Sequence, residues 1–184
     1  MEIEIYLWAV WTTEQEFVFD KCARNSGRVS SGLMLGSLLL IGFHGLKKIF
    51  NEIALKDTFN ILITLFAVNH VIHLFYVFQN FNRHVVELSW IENLHGVITF
   101  ASLLIIPVIV WSVSKLNTVL YVAILLHLFN ATYFIMETFY SKIKPDKPAY
   151  HNQLGIAIMI VALIYVAYRV IQENRPKVIA SSSA

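Results

Sequence analysis

The strongest constraint in this chain is a set of five stretches that contain no Asp, Glu, Lys or Arg. They run Val29–Leu46, Thr58–Asn82, Asn93–Ser114, Leu116–Met136 and Pro148–Tyr168, with lengths of 18, 25, 22, 21 and 21 residues. Crossing a hydrocarbon core of about 30 Å takes about 20 helical residues. Backbone groups in lipid must bond within their own segment or around a closed barrel. These windows are continuously apolar rather than alternating, which argues against a barrel. A soluble bundle of five such helices would have no wettable face. The connections Lys47–Asp57, Arg83–Glu92, Lys115 and Glu137–Lys147 are short, and short links make consecutive helices antiparallel neighbours. The expected fold class is an all-α integral membrane protein, with five transmembrane helices in an up-down bundle.

Composition agrees and removes other classes. Residues of the AVILMFWYC set make up 57% of the 184, and charged residues only 14%, against about 25% in an average soluble domain. That excludes a disordered segment. A net charge of +2 provides no basic field for nucleic acid. The one cysteine, Cys22, has no partner for an internal disulfide. The expected partners are the lipid bilayer and a small lipophilic molecule.

Three regions are expected: an interfacial N-terminal segment over 1–28, the five-helix domain over 29–172, and a flexible tail over 173–184. In the first, Thr13-x-x-Glu16 reads as a capping box that opens a short helix through Phe17, Val18 and Phe19. Trp8 and Trp11 suit the headgroup level. No basic region precedes an apolar core there, so the segment does not read as a cleavable signal peptide. Lys and Arg divide seven to seven between the two sides of a five-span bundle, so the positive-inside rule gives no orientation. The acidic residues divide nine to three, which favours the C-terminal side as cytoplasmic.

Polar side chains inside a membrane are costly and by default mark function. Here they recur at helical spacing. Asn69, His73, Tyr76 and Asn80 share one face of the second window; Glu92, His95, Thr99 and Ser102 share one face of the third; His127, Asn130 and Glu137 share one face of the fourth. At about 1.5 Å per residue, His127 lies roughly 15 Å above the C-terminal side, His70 and His73 roughly 20 and 24 Å, His95 roughly 27 Å and Glu137 about 30 Å. The expected site therefore sits between the second, third and fourth windows, in the half nearer the N-terminal side. His84, Glu87 and His151 lie close enough to join it or to be plain solvated residues. Thr99, Ser102, Asn60 and Asn69 also suit interhelical bonding, worth about 0.6 kcal/mol each, and the Gly32–Gly36 spacing suits close helix approach. Trp90, Tyr140, Tyr150 and Arg169 read as interface anchors.

No stock catalytic or metal motif is present, and no lysine lies mid-span for a Schiff base. The leading expectation is a membrane-embedded enzyme acting on a lipid, quinone, sterol or isoprenoid-like substrate. A carboxyl group buried in lipid favours its neutral form and can share its proton with a histidine. Glu92 and Glu137 are then the acid or base candidates, with His73, His95 and His127 as their partners. Tyr76, Asn80, Asn130 and Thr99 are substrate-positioning candidates. The first alternative is a b-type haem or a divalent metal held by His70, His73, His95 and His127. The second is a non-enzymatic transporter, proton relay or scaffold subunit.

Overall fold

A computed structural model describes residues 1–84, 94–143 and 149–175, without the side chains of residues 16, 81–84 and 95. These residues form seven α-helices and no strand: α1 (Glu2–Thr12), α2 (Val18–His44), α3 (Leu46–Asn51), α4 (Ile53–His84), α5 (Leu94–Ser112), α6 (Thr118–Tyr140) and α7 (Tyr150–Asn174). A single 3₁₀ turn, Gln15–Phe17, joins α1 to α2. Four helices are long and apolar enough to cross a membrane: Val18–His44, Ile53–Asn80, Thr118–Tyr140 and Tyr150–Asn174. The apolar part of α5, Gly96–Ser112, is shorter.

Local chemistry sets the helix ends. Gly45 stops α2 with φ +79°, a conformation in which a Cβ would also collide with the Glu173 carboxylate. Only glycine suits that position. Asn117 caps α6 by accepting from the Leu120 backbone N–H at 2.8 Å, a cap worth about 1 kcal/mol.

Each long helix buries one face and presents large apolar side chains on the other. Ile105, Val108, Trp111, Val119, Leu126, Val161 and Ile164 are all exposed, an outward apolar surface too extensive for water and suited to lipid. These features fit a multi-pass integral membrane protein. Packing joins α2 to α4 and α7, α4 to α5, α5 to α6, and α6 to α7. Met34, Leu38, Ile41, Phe59, Ile63, Leu103, Ile124 and Met159 share one continuous core. A second, smaller cluster of Ala9, Val18, Cys22 and Tyr76 lies beneath α1.

Helix ends differ from several local expectations. Residues 18–28 are the first three turns of α2 and carry their charges into the bundle end. The boundary at 173 falls within α7, where Glu173 accepts from Tyr121 Oη at 3.1 Å and Lys47 donates to the Glu173 carbonyl at 2.9 Å. Thr13 follows the end of α1, and its hydroxyl accepts from Lys21 Nζ at 2.8 Å. The N-cap of α2 is Phe17, with no side-chain cap. Of the Gly32–Gly36 pair, a Cβ on Gly32 would touch nothing within 4 Å, whereas one on Gly36 would meet Leu62 of α4 at 3.5 Å. On the same helix a Cβ on Gly27 would lie 3.1 Å from His73.

Candidate functional site

The polar row on α4 faces α2, and α2 answers it with small polar residues. Asn69 Nδ2 donates to the Ser30 hydroxyl at 2.7 Å and to the Ser26 carbonyl at 3.0 Å. The Ser26 hydroxyl and His73 Nδ1 lie 3.1 Å apart. One turn away, His70 packs on Phe66, and its ring centroid is 5.4 Å from that of His73. His70 is 7% exposed, and its Nδ1 is buried with no hydrogen-bond partner among the described residues. Such orphaned groups are uncommon in native proteins and call for an explanation.

Both rings line a cavity of about 740 Å³ enclosed by α2, α4, α6 and the start of α7. Its α2 wall is made of small residues: Ala23, Gly27, Ser30 and Ser31. The α6 wall is Phe134, Ile135, Thr138 and Phe139, and α7 adds His151, Asn152 and Gly155. Ser30, Ser31, His70, Ile135 and Asn152 are buried, whereas Arg24, Arg28, Lys142 and His151 are exposed. The cavity thus runs from a charged rim at the bundle end to a buried floor of Ser30, Ser31, His70, Ile135 and Asn152, flanked by the rings of Phe134 and Phe139. Lys142, which lies beyond the end of α6, has its amine held below the ordinary lysine value. Burial is the largest cause, followed by repulsion from Arg24; Asp20 opposes and Arg28 adds to the lowering.

The candidate residues from the sequence divide among several places. His70, His73 and His151 line the cavity. His127 is instead buried between α5 and α6, its Nδ1 2.9 Å from the Ser102 hydroxyl, while Asn130 Nδ2 donates to the Thr99 hydroxyl at 2.6 Å. His127 precedes Phe134 by two helical turns, about 10 Å, which places it deeper than the cavity. Tyr76 packs beneath α1 against Phe19 and donates to the Glu2 carbonyl at 3.4 Å. Asn80 has a buried side-chain oxygen without a partner. Glu137 is exposed. At 100° per residue it sits roughly 130° around α6 from the row that faces the cavity. His95 is in the first turn of α5, its side chain outside the description, as is that of His84. Glu87 and Glu92 lie outside the described residues.

Ser26, Ser30, Ser31, Arg24, Arg28 and Lys142 were missing from the candidates. The signal for the serines was present as a four-residue repeat, Ser26-x-x-x-Ser30, that straddles the start of the first charge-free window. Among the described residues no group of three His, Cys, Asp or Glu is placed to hold a metal ion. The divalent-metal alternative therefore has no three-ligand group among those residues. The chain matches no family model, no curated protein and no solved structure.

Proposed function

We propose that this chain takes a lipophilic small molecule into the cavity between α2, α4, α6 and α7 and holds it against His70 and His73 for acid–base chemistry. The observation that carries this reading is the pair of histidine rings, His70 and His73, with centroids 5.4 Å apart on the wall of one cavity. The neighbouring glutamate that acid–base chemistry was expected to use is not supplied by Glu137, so the two histidines would exchange protons with the substrate or with each other.

The same proposal takes the bundle as five-span and up-down. Ser30–Asn69 and Ser26–His73, and likewise Thr99–Asn130 and Ser102–His127, pair rising with falling residue numbers, as antiparallel neighbours do. The 19 residues of α5 extend about 28 Å. Reporter fusions at the two termini test the count: opposite sides support five spans, and the same side contradicts it. The acidic residues favour the C-terminus as the cytoplasmic end, and the sidedness of the C-terminal fusion tests that.

Solvent extraction and mass spectrometry of the purified protein test the cavity reading. Wild type should retain a lipophile in stoichiometric amount, and Thr138→Phe, which fills the α6 wall, should lose it with Tm unchanged. Equal retention contradicts the reading. His70→Gln should keep the lipophile and lose its turnover. A second reading, that the histidines are interhelical glue, is favoured by the matching Ser26–His73 and Ser102–His127 contacts. It predicts that every histidine substitution lowers Tm and leaves retention alone.

A further inference from the structure

We propose that the cavity rim is a receptor for the anionic head of an amphiphile, phosphate in chemistry, with Arg24, Arg28 and Lys142 taking the charge while the hydrocarbon lies along Phe134, Ile135 and Phe139. This rests on the cavity binding a lipophile at all, as read above. Arg24 and Arg28 stand one turn apart on α2, and Lys142 approaches them from beyond the end of α6; all three line the same opening. Among the described residues that line or pair with this opening, one acid stands against these three cations: Asp20, which pairs with Arg24. The other ion pairs among the described residues are Met1 with Glu4 and Lys48 with Glu52, both elsewhere. Arg28 reaches only the neutral Asn25 side chain, at 3.3 Å.

The rim therefore holds like charges together without enough carboxylate to balance them. Burial is the first cause of the lowered proton affinity of Lys142, and Arg24 and Arg28 add to it while Asp20 opposes. An anion seated among the three would convert the repulsion into charge-assisted hydrogen bonds. Guanidinium forks fit phosphate oxygens bidentately. Size argues for an amphiphile over a free ion, since about 740 Å³ is the volume of a drug-sized site and far exceeds one phosphate. The α6 wall of Phe134, Ile135 and Phe139 suits a chain, and Ser30, Ser31, the histidines and Asn152 suit its polar linkage to the head.

The test measures binding of phosphatidic acid, and of phosphatidylcholine with the same acyl chains, to the detergent-purified full chain. Inorganic phosphate is titrated separately. Phosphatidic acid should bind about tenfold tighter than phosphatidylcholine. Arg28→Gln and Lys142→Gln should each erase about that preference, Arg28→Lys should retain most of it, and Lys115→Gln, a charge in the α5–α6 link, should change nothing. Lys142 lies outside the membrane helices, so its variant keeps the fold in a case where Arg28→Gln does not. Phosphatidic acid should also slow acylation of Lys142 by an amine-reactive reagent. Equal binding of the two lipids, or a preference that survives both Gln variants, overturns the headgroup assignment and leaves the cavity reading standing. Binding of neither lipid overturns both. Inorganic phosphate binding as tightly as phosphatidic acid overturns the amphiphile.

Discussion

Between α2 and α4, His73 meets the Ser26 hydroxyl at 3.1 Å and Asn69 bonds Ser30 at 2.7 Å; between α5 and α6, His127 meets the Ser102 hydroxyl at 2.9 Å and Asn130 bonds Thr99 at 2.6 Å. The bonding groups nearly repeat, and what surrounds them differs. His127 is packed among large aliphatic residues, with Leu103, Ile106, Ile124 and Leu128 buried on the same two helices. His73 faces Ala23, Gly27, Ser30 and Ser31, whose short side chains draw α2 and α4 together and leave the space before α6 and α7 unfilled. A histidine bonded to a serine is thus glue in one interface and a cavity wall in the other. The size of the neighbours makes the difference, and the histidine's own helix does not.

The comparison can be broken at its narrowest point. Gly27→Leu puts branched carbon where the His73 ring lies. It should lower stability by about 1–3 kcal/mol, the range for overpacking, and abolish lipophile retention; denaturation in detergent and extraction read the two effects. Asn69→Ala removes two interhelical bonds and should cost about 1 kcal/mol at the membrane average, with retention reduced because α2 loosens. His127→Leu acts on the packed interface and should cost no more than about 0.6 kcal/mol with retention unaltered. A loss of retention there would merge the two regions into one site.

The smallest expected effect is a pH slope at the rim. Lys142 holds its proton less tightly in the folded chain than at the ordinary value of 10.5. The unfolded chain then binds more protons across the window below 10.5, so stability rises with pH there. Tm in detergent should climb as pH approaches that value, and Lys142→Gln should flatten the climb. A saturating phosphate-headed lipid should flatten it too, by returning the amine toward its ordinary affinity.

Apolar helix content was legible because lipid requires it: four charge-free windows overlap the four long apolar helices, and the remaining window holds α5. The α4 row Asn69, His73 and Tyr76 was legible as one face, since helical spacing alone defines a face. Its partner was not. Ser26 lies among Asp20, Lys21, Arg24 and Arg28, where a charge count ends a membrane window, so its pairing with Ser30 just inside the window is cut in two. The fold instead extends α2 through them, turning Arg24 and Arg28 to an exposed rim while Ser26 and Ser30 turn inward. Glu137 shows the converse failure. Its spacing from His127 and Asn130 fits one stripe, yet the face of α6 that meets the cavity is set by α2 and α7, and Phe134, Thr138 and Phe139 occupy it. Spacing along one helix fixes which residues stand together, and the neighbouring helices decide what they stand against.

The most direct measurement is photo-crosslinking with a lipid analogue that carries a diazirine on its acyl chain, followed by peptide mapping. The account predicts adducts concentrated on residues 23–31 and 134–142, suppressed by Thr138→Phe. Adducts spread over the outward surface at Ile105, Val108, Val161 and Ile164, indifferent to Thr138→Phe, would contradict it.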